Sequence, residues 1–352
     1  MRYGDAGVDL GRSHAVKARL GPLVRSTWGA GVCRLPDGFA GVMSWPARVP
    51  GPGGAGLEPE PLLLAASMDG AGTKLHLGLE AGRVADVAAD LVYHGANDLL
   101  VHGGRPLALL DYIAQERLDA EVVMAVVQGL SRACLEVGAA LLGGETAEMP
   151  DTYRPGVVDV AGCMVGSVSR EELIDGSRIR AGDEILGLCS SGLHTNGYSL
   201  ARRILARSGL TAASPLPHGE DETVMEALLR PHRWYGPALV PELPSGRLHG
   251  LAHVTGGGIA GNLVRVLPEG VRARIRAGSW PRPGVFRWLI EAGEVQEEEA
   301  RATFNLGIGM VVVCSGAAAP GLSEDLARAG EQVHRIGEVV AGERGVEWIE
   351  EG

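Results

Sequence analysis

The segment LLLAASMDGAGTK, residues 62–74, decides the fold class. Its start, LLLAAS, is short and apolar and follows a Pro/Gly-rich loop at 46–61, which predicts a buried strand over 62–67. The remainder, MDGAGTK (68–74), predicts a flexible acidic loop. A strand that leads into a glycine-rich loop is the unit that recurs in the rest of the chain.

The alternation of helices and strands on either side of this segment predicts two mixed domains. One face of 83–102 is apolar at helical spacing, which predicts a helix. Residues 196–209 predict another, with Asn196 as N-cap and Gly209 just past its end. The fold class is therefore α/β or α+β, with an N-terminal domain at 1–168 and a C-terminal domain at 169–352. The other predicted elements are helices at 119–138 and 259–267, strands at 107–114, 157–168 and 304–313, strand-to-loop segments at 139–150, 184–192 and 251–258, and a terminal helix and strand.

Composition and charge exclude several classes of protein. The 352 residues are 45% hydrophobic and 21% charged, so the chain can bury a core and is not disordered throughout. No apolar run reaches about 18 residues, which argues against a membrane span. A net charge of −11 argues against nucleic acid as a partner. The N-terminus has no apolar signal-peptide region, so we expect a cytoplasmic protein.

The cysteines predict neither a disulfide framework nor a zinc site. They are odd in number and widely spaced, and no two form a C-x-x-C pair. Reduced thiols in a cytosolic protein are the expectation. The residues are Cys33, Cys134, Cys163, Cys189 and Cys314.

Four glycine-rich loops are candidates for binding an anion, because glycine lets backbone N–H groups approach a phosphate closely. None fits the Walker P-loop or the dinucleotide-binding fingerprint, and simple turn geometry is the alternative explanation for each. The loops are DGAGTK (69–74), GGETAEMP (143–150), SSGLHTNGYS (190–199) and VTGGG (254–258).

Carboxylates near these loops suggest a site for a hard cation. Asp69 follows a strand and Glu145 lies in a predicted glycine loop. In the helix at 83–102, Asp90 shares a face with a histidine and an asparagine, and Asp98 borders the apolar face. A solvated polar face is the alternative for that helix alone. Together the four carboxylates resemble a Mg²⁺ site, since Mg²⁺ prefers oxygen ligands and bridges them to phosphates.

Lys74 stands out because the chain has only two lysines, Lys17 and Lys74, among 32 basic residues. A lysine beside DGAGT suits a phosphate as a compact point charge. An incidental surface lysine is the alternative.

Taken together, these motifs resemble the AIR synthetase family, the phosphoribosylformylglycinamidine cyclo-ligases of purine biosynthesis. The combination of GGETAEMP, HTNGYS (194–199) and VTGGG is the most specific part of the match. The resemblance spans nearly the whole chain and includes, in the family's order, DAGVD (5–9), DGAGTK, ND with GGRP (97–98 and 103–106), LDY (110–112), DVAG (159–162) and FNLGIGM (304–310).

The resemblance implies two α/β domains and a homodimer whose N-terminal sheets join in a barrel, with Mg-ATP sites near that interface. The implied reaction converts formylglycinamidine ribonucleotide and ATP to aminoimidazole ribonucleotide, ADP and phosphate. ATP phosphorylates the formamide oxygen, and the amidine nitrogen then closes the ring. A need for a monovalent cation such as K⁺ is left open.

The resemblance also assigns roles to residues. Mg²⁺ is held, directly or through water, by Asp69, Asp90, Asp98 and Glu145. The nucleotide is contacted by Gly70, Gly72, Thr73, Lys74, Asn97, Gly143 and Gly144. The substrate pocket is formed by Ser191, His194, Thr195, Asn196, Thr255, Gly256, Gly257 and Gly258. The catalytic candidates are His194 and His253 for proton transfer, or for positioning alone, and Lys74.

The chain departs from the family pattern in three places. RLPDGF (34–39) stands where the family has a glycine-rich stretch, Gly21 where relatives often carry lysine, and Leu193 where proline is common. Larger residues restrict backbone approach to a nucleotide. Two alternatives to an active cyclo-ligase therefore stay open: another phosphotransferase of the superfamily, and a nucleotide-binding relative without catalysis.

Overall fold

The structure is a computed structural model that describes residues 1, 2, 5, 26, 32, 33, 35, 38–44, 62–219 and 221–350. Several expectations fall outside the described residues. These are Lys17, Gly21, the loop at 46–61, most of DAGVD (5–9), and Arg34, Pro36 and Asp37 of RLPDGF.

The first half forms a five-stranded sheet in the order β1-β2-β5-β3-β4. Only the β3–β4 pair is parallel among these neighbours, and the other pairs are antiparallel. The sheet is therefore mixed, as the prediction of an α/β or α+β fold allows. Its strands are β1 (Gly41–Ser44), β2 (Leu62–Gly70), β3 (Arg105–Gln115), β4 (Ala140–Glu148) and β5 (Val158–Ser169).

Helices α1 (Lys74–Glu80), α2 (Val84–Leu100) and α3 (Ala120–Val137) accompany this sheet, and both long ones confirm predicted helices. Helix α3 begins where the Asp119 carboxylate accepts hydrogen bonds from two backbone N–H groups. It ends at Gly138, whose φ of 77° is readily adopted only by glycine. Helix α2 is buried along almost its whole length, so the alternative of a solvated polar face is wrong.

The second half forms a six-stranded sheet in the order β11-β8-β10-β6-β9-β7. Residues of β9 are buried from Ile308 to Cys314, which shows that this sheet is covered on both faces. Its strands are β6 (Asp183–Cys189), β7 (Leu248–His253), β8 (Val271–Ala277), β9 (Ile308–Ser315), β10 (Val333–Ala341) and β11 (Gly345–Glu350).

Helices surround the second sheet, and one start differs from its prediction. Helix α4 runs from Tyr198 to Arg207, and its N-cap is Gly197 with φ 81° instead of Asn196. A Cβ on Gly197 would lie 2.6 Å from the Phe304 ring, so close packing requires glycine there. The others are α5 (Val224–Leu228), α6 (Gly236–Leu239), α7 (Gly258–Leu263), α8 (Gly284–Gly293), α9 (Glu297–Thr303) and α10 (Ala319–Arg328).

Two segments predicted as loops are strands. Strand β2 continues through Asp69 to Gly70, where it pairs with Ala161 of β5. Strand β4 continues through GGETAE, so Glu145 lies on a strand and not in a glycine loop. Strand β4 forms because pairing with β3 supplies its backbone hydrogen bonds, which outweighs the low strand preference of its glycines.

The two halves share one hydrophobic core. A cluster of buried side chains joins Leu63 of β2 and Val92 of α2 to Leu200 of α4 and Phe286 of α8. A second cluster fills the C-terminal sheet. The shared core places the loops of one half against α2 of the other. None of the described helices has the length and apolar character needed to cross a membrane.

The close packing of α2 against α3 predicts that a larger residue in place of Gly129 lowers the stability of the fold. A Cβ added there would lie 2.0 Å from the Ala85 carbonyl oxygen, so Gly129→Ala must move one helix. We expect a loss of about 1–3 kcal/mol in unfolding free energy, measured by denaturant titration. Gly261→Ala in α7, where no atom lies within 4 Å of the added Cβ, is the matched control and should be neutral or stabilising. Equal effects at both positions would contradict this packing.

Candidate functional site

Four histidines meet between the two halves, and we call them the histidine cluster: His94, His194, His232 and His253. His94 lies on α2, His194 follows β6, His232 precedes α6, and His253 ends β7. None is more than 5% exposed. The cluster therefore joins α2 to three separate segments of the second half.

Two carboxylates of the first half face His94. The distance from His94 Nε2 is 2.7 Å to Asp69 Oδ2 and 3.7 Å to Asp98 Oδ2. Burial alone would lower the pKa of His94, but the charges of Asp98 and Asp69 raise it to about 9. Its other nitrogen, Nδ1, lies 2.8 Å from Thr195 Oγ1. His94 thus links the acidic end of β2 to the HTNGYS loop.

His253 lies between Asp98 and His232. Its Nδ1 is 2.8 Å from Asp98 Oδ1, and its Nε2 is 2.9 Å from His232 Nε2. The His232 ring stacks on that of His194, with centroids 4.0 Å apart. Burial lowers the pKa of all three of these histidines, so they are neutral near pH 7.

The side chain of Lys74 is not free to contact a phosphate, as the sequence predicts it to be. It is fully buried, and its Nζ donates to Asp90 at 2.5 Å and to the carbonyls of His194 and Arg230 at 3.0 and 2.7 Å. An ammonium has three N–H donors, so none is left for a phosphate. Burial lowers the pKa of Lys74 and raises that of Asp90. Asp90 also accepts from the His232 backbone, which makes it a structural partner here and not a free metal ligand.

Asn97 is also turned toward the protein. Its Nδ2 donates to the Arg233 carbonyl at 2.8 Å, and its Oδ1 accepts from the Tyr235 backbone at 3.2 Å. Both ends of the buried amide are therefore used to hold the segment that carries His232. The expectation that Asn97 orients a phosphate does not agree with this arrangement.

The structure brings three of the predicted loops together. Thr73 of DGAGTK lies 3.2 Å from Ser199 Oγ, and Asn196 approaches Gly256 so closely that a Cβ there would be 3.3 Å from Asn196 Oδ1. Ser191 donates its backbone N–H to His194 Nε2 at 3.3 Å. The loops DGAGTK, HTNGYS and VTGGG consequently form one continuous surface beside the histidine cluster.

Backbone constraints explain part of the glycine content of these loops. Gly258 has a φ of 64°, and a Cβ would lie 1.9 Å from the Arg301 carbonyl oxygen. Gly257 and Gly72 also have positive φ, at 101° and 64°. Thr255 Oγ1 donates to Asn262 Oδ1, which fixes the start of α7. Gly70 donates its N–H to its neighbour Asp69 at 2.7 Å.

The loop GGETAEMP is separated from the others within one chain. In the register of the sheet, Gly144 pairs with Asp111, Asp111 with Gly162, and Gly162 with Asp69. Three strand spacings, about 14 Å, therefore lie between Asp69 and Gly144. Gly143 and Glu145 flank Gly144 on the exposed edge strand β4. The expected grouping of Glu145 with Asp69 is not present in a single chain.

Sequence reasoning missed His232 entirely. The residue sits in RPHRWYG (230–236), which has no glycine loop and no helical periodicity that would mark it. Only the fold reveals its role, because its backbone N–H donates to Asp90 and its ring contacts the other three histidines of the cluster.

Comparisons with known proteins agree with this architecture. Residues 55–168 match the family model for the AIR synthase related protein, N-terminal domain. Residues 180–350 match the model for the C-terminal domain of the same family.

Curated relatives match over nearly the whole chain. The phosphoribosylformylglycinamidine cyclo-ligase of Sorangium cellulosum is 44% identical, over 97% of this chain and 96% of that protein. The chloroplastic/mitochondrial protein of the same name from Vigna unguiculata is 46% identical, over 97% of this chain and 82% of that protein. Among solved structures, tt0281 from Thermus thermophilus has a TM-score of 0.63 at 22% identity and covers 95% of both chains, which shows a shared fold.

The buried ion pair predicts a large effect on stability. Lys74→Met leaves Asp90 charged or forced to protonate without a partner, so we expect a loss of about 3–5 kcal/mol in unfolding free energy. The double variant Lys74→Met/Asp90→Asn removes the uncompensated charge and should recover part of the loss. Denaturant titrations of the singles and the double measure this coupling. Strict additivity of the two substitutions would show that the pair does not interact.

Proposed function

The chain belongs to the AIR synthase related family and, within it, to the phosphoribosylformylglycinamidine cyclo-ligases of purine biosynthesis, and we propose how its residues carry out this ATP-dependent reaction. The single observation that carries the proposal is the order within the site. Two ionised carboxylates, half-buried Asp69 and buried Asp98, face the charged His94, and the neutral histidines His194, His232 and His253 lie behind it.

The reaction needs both kinds of group. An amide oxygen is a poor leaving group, so the formamide oxygen of formylglycinamidine ribonucleotide first takes the γ-phosphoryl group of ATP, and ADP leaves. The amidine nitrogen then attacks the same carbon, loses a proton and expels phosphate. The protein must therefore compensate the charge of two polyanions and accept a proton in a place that excludes water.

Asp69 and Asp98 fit a divalent cation such as Mg²⁺. Burial would raise the pKa of each, but His94 beside them, with further hydrogen bonds, holds it below the usual range, so both carboxylates are available as anions. Each has an oxygen facing the same His94 nitrogen, at 2.7 Å for Asp69 and 3.7 Å for Asp98, so both carboxylates belong to one acidic site. Asp69 and Asp98 would hold such an ion, which would supply positive charge against the phosphoryl group that is transferred.

His194 and His253 supply the proton acceptors in this proposal. Because both are neutral near pH 7, either can take up the proton that the amidine nitrogen loses. Asp98 accepts from His253 Nδ1 and stabilises the imidazolium that forms. The surface formed by DGAGTK, HTNGYS and VTGGG is the proposed pocket, in which Ser191, Asn196 and the backbone of Thr255–Gly258 contact the substrate.

The proposal predicts the products and their ratio. Purified protein given Mg-ATP and formylglycinamidine ribonucleotide should form aminoimidazole ribonucleotide, ADP and phosphate in equal amounts. ADP release that does not depend on this substrate would favour another phosphotransferase, and nucleotide binding without product would favour a relative without catalysis. Assays with and without K⁺ decide whether a monovalent cation is needed.

Asp69→Asn should impair turnover far more than folding. The side chain is 41% exposed and Asp98 remains to pair with His94, so folding tolerates the loss of this charge, while the proposed cation loses a ligand. We expect kcat to fall about 100-fold or more with little change in melting temperature. Asp175→Asn changes an exposed aspartate that accepts hydrogen bonds from Ser177, and it is the matched control. A kcat for Asp69→Asn within about threefold of wild type would remove Asp69 from the site.

We propose a homodimer formed through the open face of the first sheet. Met68 is 71% and Leu110 43% exposed, and both pair with Cys163 in one row across the middle of that face. Exposed apolar surface of this kind is typical of an interface. Glu145 pairs with Tyr112 and so shares its face, at the edge of the same sheet.

Leu110→Glu should disrupt this dimer. A charge placed in the middle of an apolar interface is desolvated without a partner, so we expect a monomer by analytical ultracentrifugation and a loss of product formation. Leu135→Glu on helix α3, at a side chain that is 82% exposed on the other side of the sheet, is the control and should remain dimeric. A monomeric wild-type chain with full activity would contradict the proposed interface.

A further inference from the structure

One buried side chain fixes the course of the VTGGG loop. Asn262 of α7 is 1% exposed, and its Nδ2 lies within 3.4 Å of three carbonyl oxygens of the loop, those of Thr255, Gly256 and Gly258. The amide therefore donates its N–H groups to this backbone. Asn262 holds in place the loop that we assign to the substrate pocket.

Arg265, which follows α7, sets the direction in which this amide points. Asn262 Oδ1 accepts from Thr255 Oγ1 at 3.1 Å and from Arg265 Nη1 at 3.2 Å. A guanidinium can only donate, so the amide oxygen must face Arg265 and the amide nitrogen must face the loop carbonyls. Without a donor at position 265, the amide loses one of the two contacts that orient it.

The same guanidinium holds a segment of the N-terminal part of the chain. Arg265 Nη2 donates to the Gly38 carbonyl oxygen at 2.9 Å, and Arg265 Cζ lies 3.7 Å from the centre of the Phe39 ring. A guanidinium over an aromatic face is attracted by the ring, and more strongly where the pair is desolvated. Phe39 is buried. Arg265 thus bonds a residue that is 227 positions away in the sequence.

Phe39 also contacts the first half, next to one of the carboxylates of the site. Its N–H donates to His102 Nε2 at 3.0 Å, and its carbonyl oxygen lies 3.5 Å from Ser67 Oγ. Ser67 Oγ in turn donates to Asp98 Oδ2 at 3.0 Å. The His102 ring is fixed on its other side, where Nδ1 lies 3.0 Å from the Ile174 carbonyl oxygen. A single hydroxyl group therefore separates the backbone of Phe39 from Asp98.

We propose that Arg265 is a positioning residue that couples the binding of the two ligands of the reaction. The inference rests on the proposed function, which places the substrate against the VTGGG loop and Mg-ATP beside Asp98. Each ligand orders the segment that it contacts, and Arg265 transmits this ordering because its fork bonds Asn262 and Gly38 at once. The second ligand then meets a site that is already ordered. Each ligand consequently binds more tightly when the other is bound.

Binding titrations of the full-length chain measure this coupling. The probes are formylglycinamidine ribonucleotide and a non-hydrolysable ATP analogue with Mg²⁺. In the wild type, each should lower the dissociation constant of the other about 10-fold, and by the same factor in both directions because the two binding free energies are linked. Hydrogen exchange gives a structural readout, since formylglycinamidine ribonucleotide alone should slow exchange of the Phe39 amide.

Arg265→Met keeps the apolar stem of the side chain but removes both N–H contacts. The coupling factor should fall from about 10 to about 1, and substrate alone should no longer slow exchange of the Phe39 amide. At saturating ATP, KM for formylglycinamidine ribonucleotide should rise about 10-fold while kcat stays within about threefold of wild type. Arg265→Lys restores the charge without the planar fork, so it should recover little of the coupling.

Two further variants make the result specific. Arg276→Met is the matched control: it removes a half-buried arginine of β8 that pairs with Glu338, and it should leave the coupling factor and KM unchanged. Phe39→Leu keeps an apolar side chain but removes the ring under the guanidinium, so the coupling factor should fall about threefold or more. Phe39→Leu decides the question if Arg265→Met fails to fold.

Equal coupling in the wild type and in Arg265→Met would overturn the inference, even if the variant melts at a lower temperature, because Arg265 would then serve stability alone. Independent binding of the two ligands in the wild type would also overturn it. The product assay with Mg-ATP on the same preparations separates these outcomes from the proposed function. Product formation with independent binding leaves the cyclo-ligase assignment standing and removes the role of Arg265. Coupled binding without product would leave the role of Arg265 standing and remove the proposed reaction.

Discussion

One polar stripe on helix α2 holds the two halves of the molecule together. Asp90, His94, Asn97 and Asp98 each reach a different part of the second half: the His232 backbone, Thr195, the segment at 233–235, and His253. All four side chains are buried. The loops that carry the candidate site are placed by these bonds, because they tie one helix to four points of the second half.

The cost of burying polar groups explains why the polar stripe of α2 fixes the position of one half against the other. A buried polar group without a partner costs about 1–3 kcal/mol, and an unpaired charge costs more. Lys74 compensates Asp90, and His94 compensates Asp69 and Asp98. A shared hydrophobic core favours contact between the halves but is tolerant of small shifts. The hydrogen bonds of α2 supply the register that apolar packing alone does not.

The sequence predicts the helices and strands better than it predicts where they end or which strands pair. Helix α2 and helix α3 follow from apolar spacing, and the strand at 158–169 follows from its buried run. The glycines of GGETAE predict a loop because glycine disfavours strands in isolation, and pairing with β3 overrides that preference.

Within the site, the motifs predicted which segments matter but not how their side chains pair. Lys74 stands in a sequence motif typical of a phosphate ligand, but its side chain is the buried counterion of Asp90. Only the fold distinguishes these two roles. His232 could not be found from its neighbours in sequence, since its partners lie 142 and 21 residues away.

The charge states within the site match the two demands of the proposed chemistry. Side-chain exposure falls from 41% at Asp69 to 9% at Asp98 and to none at His253. The charge of His94, and not solvent, keeps both carboxylates ionised, so that they could hold a cation that meets phosphate groups. Burial keeps the imidazoles of His194, His232 and His253 neutral, which is the form that accepts a proton. Neighbouring charge thus sets the state of Asp69 and Asp98 while burial sets that of His253, and the hydrogen bond between Asp98 and His253 couples the two ends.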